Sequence, residues 1–220
     1  MLVHVGKLNF NEPTPLCEIM GRNGSDKGGV EILKTWHTYT VVYNDLFASL
    51  RDKPLRVFEL GLGTNDTSFA CNMGEKGVPG ASLRGWCEYM PHARVYGADI
   101  DRGCLFETDR IKTYYCDQLD PAVIADMWSH ADLADPFDIL IDDGLHRFDS
   151  NVCFLENSLH KLAVNGIYVI EDSGSIERPR MMEKIREWAV KYPNFTFQYV
   201  PVPSVRNYSD NNLILARRNA

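Results

Sequence analysis

The chain has 220 residues, of which 45% are hydrophobic and 24% charged, the balance of a soluble globular protein. A net charge of −7 argues against nucleic acid as a partner, because binding the phosphate backbone requires a basic surface. No segment approaches the ~20 apolar residues of a membrane span, and the N-terminus lacks the pattern of a secretion signal. We therefore expect no membrane association and a cytoplasmic location.

The cysteines give no sign of a metal or disulfide framework. They are scattered and form no CxxC pair: Cys17, Cys71, Cys87, Cys104, Cys116 and Cys153. Zinc sites need clustered spacing and disulfides need oxidising surroundings. We expect reduced thiols.

The predicted elements begin after residues 1–54, which are expected to form a helical cap at the carboxyl edge of a sheet. From residue 55, apolar runs alternate with segments of helical periodicity. The predicted strands are 55–60, 94–100, 112–117, 137–143, 166–172, 195–202 and 212–218. The predicted helices are 82–90, 121–131, 150–163 and 181–192. Asn165-Gly166 is expected at the exit of the third helix.

This alternation predicts an α/β fold with a Rossmann-like, seven-stranded, mostly parallel sheet and helices on both faces. The last two strands have no helix between them, which predicts an antiparallel C-terminal hairpin. We expect one domain over 1–220, with residues 1–54 as the N-terminal helical cap and 55–220 as the core.

The first strand contains Glu59 and ends in the glycine turn Gly61-Leu62-Gly63. Glycines at this point allow a ligand to approach the backbone closely. The third glycine of a dinucleotide fingerprint is missing from 64–66, which weakens a pyrophosphate site. A tight turn without a ligand is the alternative. Residues 64–81 are expected to form an inserted loop.

Polar residues also follow the second and third strands. Asp99 is placed to accept the hydroxyl groups of a ribose, while Asp117 and Gln118 are placed to contact an adenine edge. Helix capping would require the same types of residue at these positions. Both interpretations stay open from the sequence alone.

The fourth and fifth strands each end in two acids, Asp142-Asp143 and Glu171-Asp172. If these strands are neighbours, four carboxylates meet in a small volume and repel one another unless a cation or protons neutralise them. Oxygen ligands favour Mg²⁺, with Mn²⁺ or Ca²⁺ as substitutes. The alternative is that each pair caps the segment that follows.

His146 lies three residues after Asp143, in a glycine-containing turn. A histidine beside a metal can accept a proton near neutral pH, so His146 is the candidate general base. The alternative is a hydrogen-bonded histidine without a catalytic role. A second polar cluster in the N-terminal segment is expected either to close over a ligand or to provide packing. Its members are Asp26, Lys27, His37, Tyr39 and Thr40.

Several motifs occur together in a specific order: GSDKG and HTYT, then ELGLG, ASLRGW, YGADID, CDQLD, FDILIDDGLH and GIYVIED. Over about residues 20–175 the chain resembles the class I S-adenosylmethionine-dependent O-methyltransferases of the metal-dependent macrolide-sugar (mycinamicin) type. Leu145 stands where that family usually has serine, and SGSIERPR replaces an aromatic-rich acceptor segment. These departures leave the acceptor undefined.

The resemblance implies that Asp143, Glu171 and Asp172 hold Mg²⁺, with His146 and Asp143 as the catalytic residues. It also implies S-adenosylmethionine as the cofactor. The residues predicted to face this cofactor are Glu59, Gly61, Gly63, Asp99, Asp117, Gln118, Asp142 and Thr40.

The predicted function is methyl transfer to a hydroxyl of a sugar or glycosylated small molecule. The alternatives are a nucleotide-dependent oxidoreductase and a catalytically silent cofactor-binding module. The sequence leaves the oligomeric state open, with a homo-oligomer as one option.

Overall fold

A computed structural model describes residues 2–220. Within them the strands are β1 (Arg56–Leu60), β2 (Arg94–Asp99), β3 (Ile111–Tyr115), β4 (Phe137–Asp142), β5 (Leu162–Ile170), β6 (Phe195–Pro201) and β7 (Asn212–Arg218). The α-helices are α1 (Pro15–Asn23), α2 (Tyr39–Phe47), α3 (Ala81–Tyr89), α4 (Pro121–Trp128), α5 (Phe148–Ser158) and α6 (Arg178–Lys191).

The strands form one sheet in the order β3-β2-β1-β4-β5-β7-β6. β1 to β5 are parallel, and β7 pairs antiparallel with both β5 and β6. This arrangement confirms the predicted Rossmann-like sheet with a C-terminal antiparallel hairpin. The chain order reverses direction between β1 and β4, and open α/β sheets bind ligands beside such a reversal.

Each face of the sheet is covered by three helices. Residues of α1, α2 and α3, including Met20, Tyr43 and Trp86, pack on one face. Residues of α4, α5 and α6, including Trp128 and Trp188, pack on the other. Strands that are buried on both sides explain why the sequence is apolar at consecutive positions there.

The end of α5 and the start of β5 differ from the sequence prediction. The helix ends at Ser158, and β5 begins at Leu162, four residues before its predicted start. Asn165 has a left-handed φ of 66°, and the β4–β5 register shifts between Phe137 and Ile139. The Asn165-Gly166 pair therefore forms an irregularity inside a strand, because such a bulge also favours residues that tolerate positive φ.

The N-terminal segment covers a sheet face and also reaches the carboxyl edge. α1 and α2 contribute to the apolar core, and the connection between them carries Lys27 and His37. The backbone N–H of Thr40 donates to the carbonyl of Lys27 (3.2 Å), which fixes this connection to the start of α2. Two polar side chains from outside the Rossmann-like core are thereby placed beside β4 and β5.

Candidate functional site

A cavity of about 410 Å³ opens at the carboxyl edge of the parallel strands. Most residues predicted from the sequence line it: Gly61, Gly63, Asp99, Asp117, Gln118, Asp143, His146, Glu171 and Asp172. Glu59, Thr40 and Asp142 are fully or almost fully buried and lie behind its wall. The tertiary structure thus brings the strand-end motifs together in one place.

Asp143, His146 and Asp172 form the acid end of the cavity. Nε2 of His146 lies 3.1 Å from Oδ1 of Asp143, and Nδ1 lies 3.5 Å from Oδ2 of Asp172. Burial lowers the pKa of His146, but its contacts with Asp143 and Asp172 outweigh burial and raise this pKa well above the usual value. The two carboxylates therefore stabilise the protonated form of the imidazole.

The backbone at this end adopts an uncommon conformation. Among the described residues, three that are not glycine have positive φ: His146 (57°), Asn165 (66°) and Asp172 (52°). Residues other than glycine rarely adopt a positive φ, and backbone strain of this kind clusters at functional sites. Two of the three belong to the acid end, where the left-handed backbone turns the imidazole and the carboxylate toward each other.

Glu171 is held by different partners. Its carboxylate accepts hydrogen bonds from Tyr43 Oη (2.6 Å) and Lys27 Nζ (2.9 Å). Burial raises the pKa of Glu171 well above its usual range, and the nearby charge of Asp143 adds to this. The predicted metal ligand Glu171 therefore sits beside Asp143 with its oxygens directed at protein donors.

The acid end fits a divalent cation. Ligand atoms of Asp143, His146 and Asp172 all lie within 4.8 Å of one another. Two carboxylates satisfy the preference of Mg²⁺ and Mn²⁺ for oxygen, and an imidazole is also a common metal ligand. Burial raises the pKa of Asp143, but Lys27 and His146 reverse the effect and hold it below its usual range, which favours the ionised carboxylate.

The glycine turn is shaped by neighbouring protein atoms. Gly61 has φ of 89°, and a Cβ at this position would overlap the carbonyl of Asp143. Gly63 has φ of 74° and lies against the side chain of Met73. The close approach that the sequence attributed to a ligand is made by the β4 end and by the loop before α3.

The polar residues near this turn already have protein partners. Asp99 accepts from the backbone N–H groups of Leu62 (2.7 Å) and Asp101 (2.8 Å). The Gln118 amide donates to Asp142 Oδ1 (2.6 Å) and accepts from the N–H of Leu145 (2.8 Å). Contacts of Asp99 with a ribose and of Gln118 with an adenine stay predictions.

Sequence reasoning missed two parts of the site. Lys27 was placed in a polar cluster expected either to close over a ligand or to provide packing, yet it is 1% exposed and contacts three acids. The loop before α3 lines the cavity with Phe69, Cys71 and Met73. Lys27 belongs to the motif GSDKG, and this motif was the signal in the sequence that could have assigned it to the site. The loop before α3 has no periodicity from which its place in the cavity could have been predicted.

Glu59 lies beneath the cavity and not in its wall. Its carboxylate accepts from Ser82 Oγ and from Trp86 Nε1 (2.6 Å), both on α3. It also lies 3.5 Å from Lys27 Nζ. Glu59 thus joins β1, α3 and the N-terminal segment.

Among residues 2–220, no helix combines the length and apolar character needed to cross a membrane.

Relatives with described activities share much of this sequence. The 8-demethyl-8-alpha-L-rhamnosyl tetracenomycin-C 2'-O-methyltransferase of Streptomyces olivaceus is 37% identical over 151 residues, which cover 69% of this chain and 35% of the relative. The mycinamicin VI 2''-O-methyltransferase of Micromonospora griseorubida is 34% identical over 137 residues, or 62% of this chain and 31% of the relative. The chain spans about a third of the length of the curated relatives it matches. No family model matches it.

Solved structures share the fold. A methyltransferase from the mycinamycin biosynthetic pathway, solved in complex with Mg and SAH, has a TM-score of 0.71 at 23% identity and covers 96% of this chain and 56% of its own. An O-methyltransferase from Bacillus cereus, in complex with SAH, has a TM-score of 0.59 at 13% identity and covers 94% of this chain and 92% of its own. These structures share the fold, and the sequence relatives confirm the resemblance: the chain belongs to the family of the macrolide-sugar O-methyltransferases.

Proposed function

We propose that this protein is an S-adenosylmethionine-dependent and Mg²⁺-dependent O-methyltransferase whose acceptor is a hydroxyl of a sugar or a glycosylated small molecule. The observation that carries the proposal is the convergence of Asp143, His146 and Asp172 at one end of a cavity whose other end is the glycine turn. Relatives that methylate a glycosylated tetracenomycin or mycinamicin VI support the acceptor class.

His146 is the proposed general base. A divalent cation held by Asp143 and Asp172 would offset the negative charge that raises the pKa of His146, so that the neutral imidazole can accept a proton. S-adenosylmethionine would supply the methyl group, whose bond to sulfur would break as the acceptor oxygen bonds to the methyl carbon. The hydroxyl proton would pass to a ring nitrogen of His146, Nδ1 or Nε2. The two neighbouring carboxylates, Asp143 and Asp172, lie 3.1 and 3.5 Å from those nitrogens. They stabilise the imidazolium that forms, as an acid partner does for a catalytic histidine elsewhere.

Asp143, Glu171 and Asp172 are the proposed carboxylate ligands of the metal. A divalent cation held there would lower the pKa of an acceptor hydroxyl. Tyr39 Oη donates to Oδ1 of Asp172 (2.6 Å), which leaves Oδ2 facing His146. This hydrogen bond fixes the direction in which Asp172 presents its second oxygen.

The cofactor is proposed to lie along the wall formed by Gly61, Gly63, Asp99, Asp117 and Gln118. Its methyl group would then face the acid end. Because the sulfonium already supplies the reactivity, the contribution of the protein is to align the acceptor oxygen with the methyl carbon and to exclude water. Leu145 adds an apolar side chain to this part of the wall.

The test is a mass-spectrometric search for a gained methyl group. The protein is incubated with S-adenosylmethionine, Mg²⁺ and a panel of rhamnosides and other deoxysugar glycosides, with and without EDTA. We expect methylation that requires the metal. Turnover that survives complete chelation contradicts the metal dependence. Calorimetric binding of NAD in preference to S-adenosylmethionine supports the oxidoreductase alternative, and cofactor binding without turnover on any acceptor supports the silent module.

A further inference from the structure

His37 is a second histidine beside the acid end, and only one of its ring nitrogens has protein partners. The residue is 5% exposed and lines the cavity. Nδ1 lies 3.2 Å from Oδ1 of Asn211 and 3.3 Å from Oδ1 of Asp172. Among residues 2–220, Nε2 has no hydrogen-bond partner, and it is not one of the enclosed polar atoms. The ring therefore offers one polar atom to the cavity.

The partners of Nδ1 decide which ring nitrogen of His37 carries the proton. Two of them are oxygens, from Asp172 and Asn211, whereas the amide nitrogen of Asn207 lies farther away at 3.4 Å. The amide nitrogen of Asn211 donates to the carbonyl of Val202 (2.9 Å), which keeps the amide oxygen toward His37. A neutral imidazole has one donor and one acceptor. Nδ1 therefore donates, and Nε2 keeps a lone pair that can accept a hydrogen bond from a hydroxyl.

Aromatic neighbours fix the plane of the His37 ring. Tyr39 stacks on it with ring centroids 4.8 Å apart, and Trp36 meets it edge-on at 6.4 Å. Tyr39 Oη also donates to Oδ1 of Asp172 (2.6 Å), so the carboxylate and the imidazole are held by the same side chain. Binding residues are effective when packing and hydrogen bonds fix them in this way. The direction of Nε2 is thus set before a ligand arrives.

The two histidines around Asp172 differ in their free atoms. Both ring nitrogens of His146 face carboxylates, whereas His37 uses only Nδ1 in this way. Nδ1 of His37 lies 3.3 Å from Oδ1 of Asp172, and Nδ1 of His146 lies 3.5 Å from Oδ2. Oδ2 thus stays on the side where the metal is proposed to bind. Because both rings contact one carboxylate, they are close enough to face two hydroxyls of the same sugar ring.

We propose that His37 recognises the acceptor: Nε2 accepts a hydrogen bond from a second hydroxyl of the sugar ring that is methylated. The inference rests on the proposed function and deepens it, because it restricts the acceptor to sugars with a second free hydroxyl. The proton of the methylated hydroxyl still passes to His146. An acceptor without the second hydroxyl would leave Nε2 unpaired beside the bound sugar, which lowers its affinity.

Two substitutions separate the two nitrogens of His37. In His37→Asn, the amide nitrogen is as many bonds from Cα as Nδ1, so a donor to Asp172 remains while nothing replaces Nε2. In His37→Gln, the amide oxygen is as many bonds from Cα as Nε2, so the acceptor remains while the donor to Asp172 is lost. Each variant is therefore the control for the other.

The test measures the binding of phenyl α-L-rhamnoside and of its 2-deoxy, 3-deoxy and 4-deoxy analogues by calorimetry. S-adenosylhomocysteine and Mg²⁺ are present, so that no methyl transfer occurs. We expect the parent to bind at least one analogue about 10-fold more weakly than the rhamnoside. The penalty for one analogue should disappear in His37→Asn and remain in His37→Gln. Equal penalties in His37→Asn and the parent overturn the inference.

Failure of the proposed function gives a different result. A parent protein that binds and methylates the rhamnoside but binds all three analogues equally well contradicts only the role of His37. A parent protein that binds none of the four compounds contradicts the acceptor class, and the inference fails with it.

A measurement on the parent covers variants that fail to fold. The ¹⁵N resonance of an imidazole nitrogen moves when its lone pair accepts a hydrogen bond. We expect the Nε2 resonance of His37 to move when the rhamnoside binds, and to move less with the analogue that binds most weakly. A resonance that stays in place in the complex with the rhamnoside overturns the inference.

Discussion

The two ends of the cavity use polar residues in different ways. At the acid end, Asp143, His146 and Asp172 face one another and leave ligand atoms directed into shared space. At the glycine-turn end, Asp99 and Gln118 are hydrogen-bonded to backbone groups and to Asp142. Polar residues at strand ends can therefore either bind a ligand or form the wall of the cavity. Only their hydrogen-bond partners in the structure distinguish the two roles.

The largest expected effect comes from the acid end. His146→Ala should lower kcat by about 10²- to 10⁴-fold, because it removes the proposed proton acceptor. The measurement is steady-state methyl transfer from S-adenosylmethionine, with calorimetry of cofactor binding as the control. We expect the cofactor Kd to change little. A variant that retains parental kcat would assign the proton to another group.

A substitution in the glycine turn should lower the stability of the fold. Gly61→Ala places a Cβ against the Asp143 carbonyl at φ of 89°, so we expect a loss of about 3 kcal/mol in the free energy of unfolding. Gly74→Ala is the matched control, because it also has positive φ (66°) but no atom within 4 Å of an added Cβ. Its cost should be about 1 kcal/mol, from the backbone conformation alone. Urea unfolding measures both, and equal losses would show that the close approach to Asp143 has no effect.

A substitution of Gln118 tests whether the cavity wall depends on hydrogen bonds between protein groups. Gln118→Ala removes the donor to the buried Asp142 and the acceptor for Leu145, so we expect a loss of about 2 kcal/mol in stability. Asp117→Ala is the control: Asp117 is half-buried and accepts only from the N–H of Leu119 among the described residues. A larger loss for Asp117→Ala than for Gln118→Ala would contradict this account of the wall.

Glu156, an acid outside the cavity, shows how much a carboxylate with several donor partners contributes to stability. Glu156 on α5 is buried enough to oppose ionisation, but donors from Lys191, Trp188 and Lys184 lower its pKa from 4.5 to about 2. A shift of this size corresponds to about 3 kcal/mol, which solvent screening of a partly exposed group reduces to about 1–2 kcal/mol.

The pH dependence of this contribution has a defined sign. Because the pKa is lower in the folded state than in the unfolded state, the stabilisation is fully present above pH 4.5 and is lost as the pH falls toward 2. Glu156→Gln should therefore be less stable than the parent at pH 7 and nearly equal to it at pH 2. Thermal unfolding at both values checks this. Glu187→Gln, which removes an exposed partner of Lys184, should have an effect below about 0.5 kcal/mol.

Much of the fold could be predicted because its signals are local. Apolar runs without alternation identified β4 and the second half of β5, since strands buried on both faces have this pattern. The missing helix before β7 identified the terminal hairpin. The boundary near Asn165 was wrong because a helix exit and a bulge both favour a residue with positive φ, and their signals in the sequence are the same.

The candidate site was only partly predictable for a different reason. Adjacent acids after β4 and β5 indicated convergence, since parallel neighbours end at the same edge. The sequence could not show that Glu171 accepts from Lys27 and Tyr43, because those residues are 144 and 128 positions away. It also could not show that Asp142 points at Gln118 behind the cavity wall.

The sequence by itself determined the alternation of strands and helices, the family, and the acids and histidine that meet at the sheet edge. These follow from periodicity and short motifs, which act within a few residues. Only the tertiary structure decided which polar atoms face the cavity and which are consumed by the protein, and it alone placed Lys27 among three acids. Such partnerships depend on distances between segments that are far apart in the chain, and no local pattern encodes them.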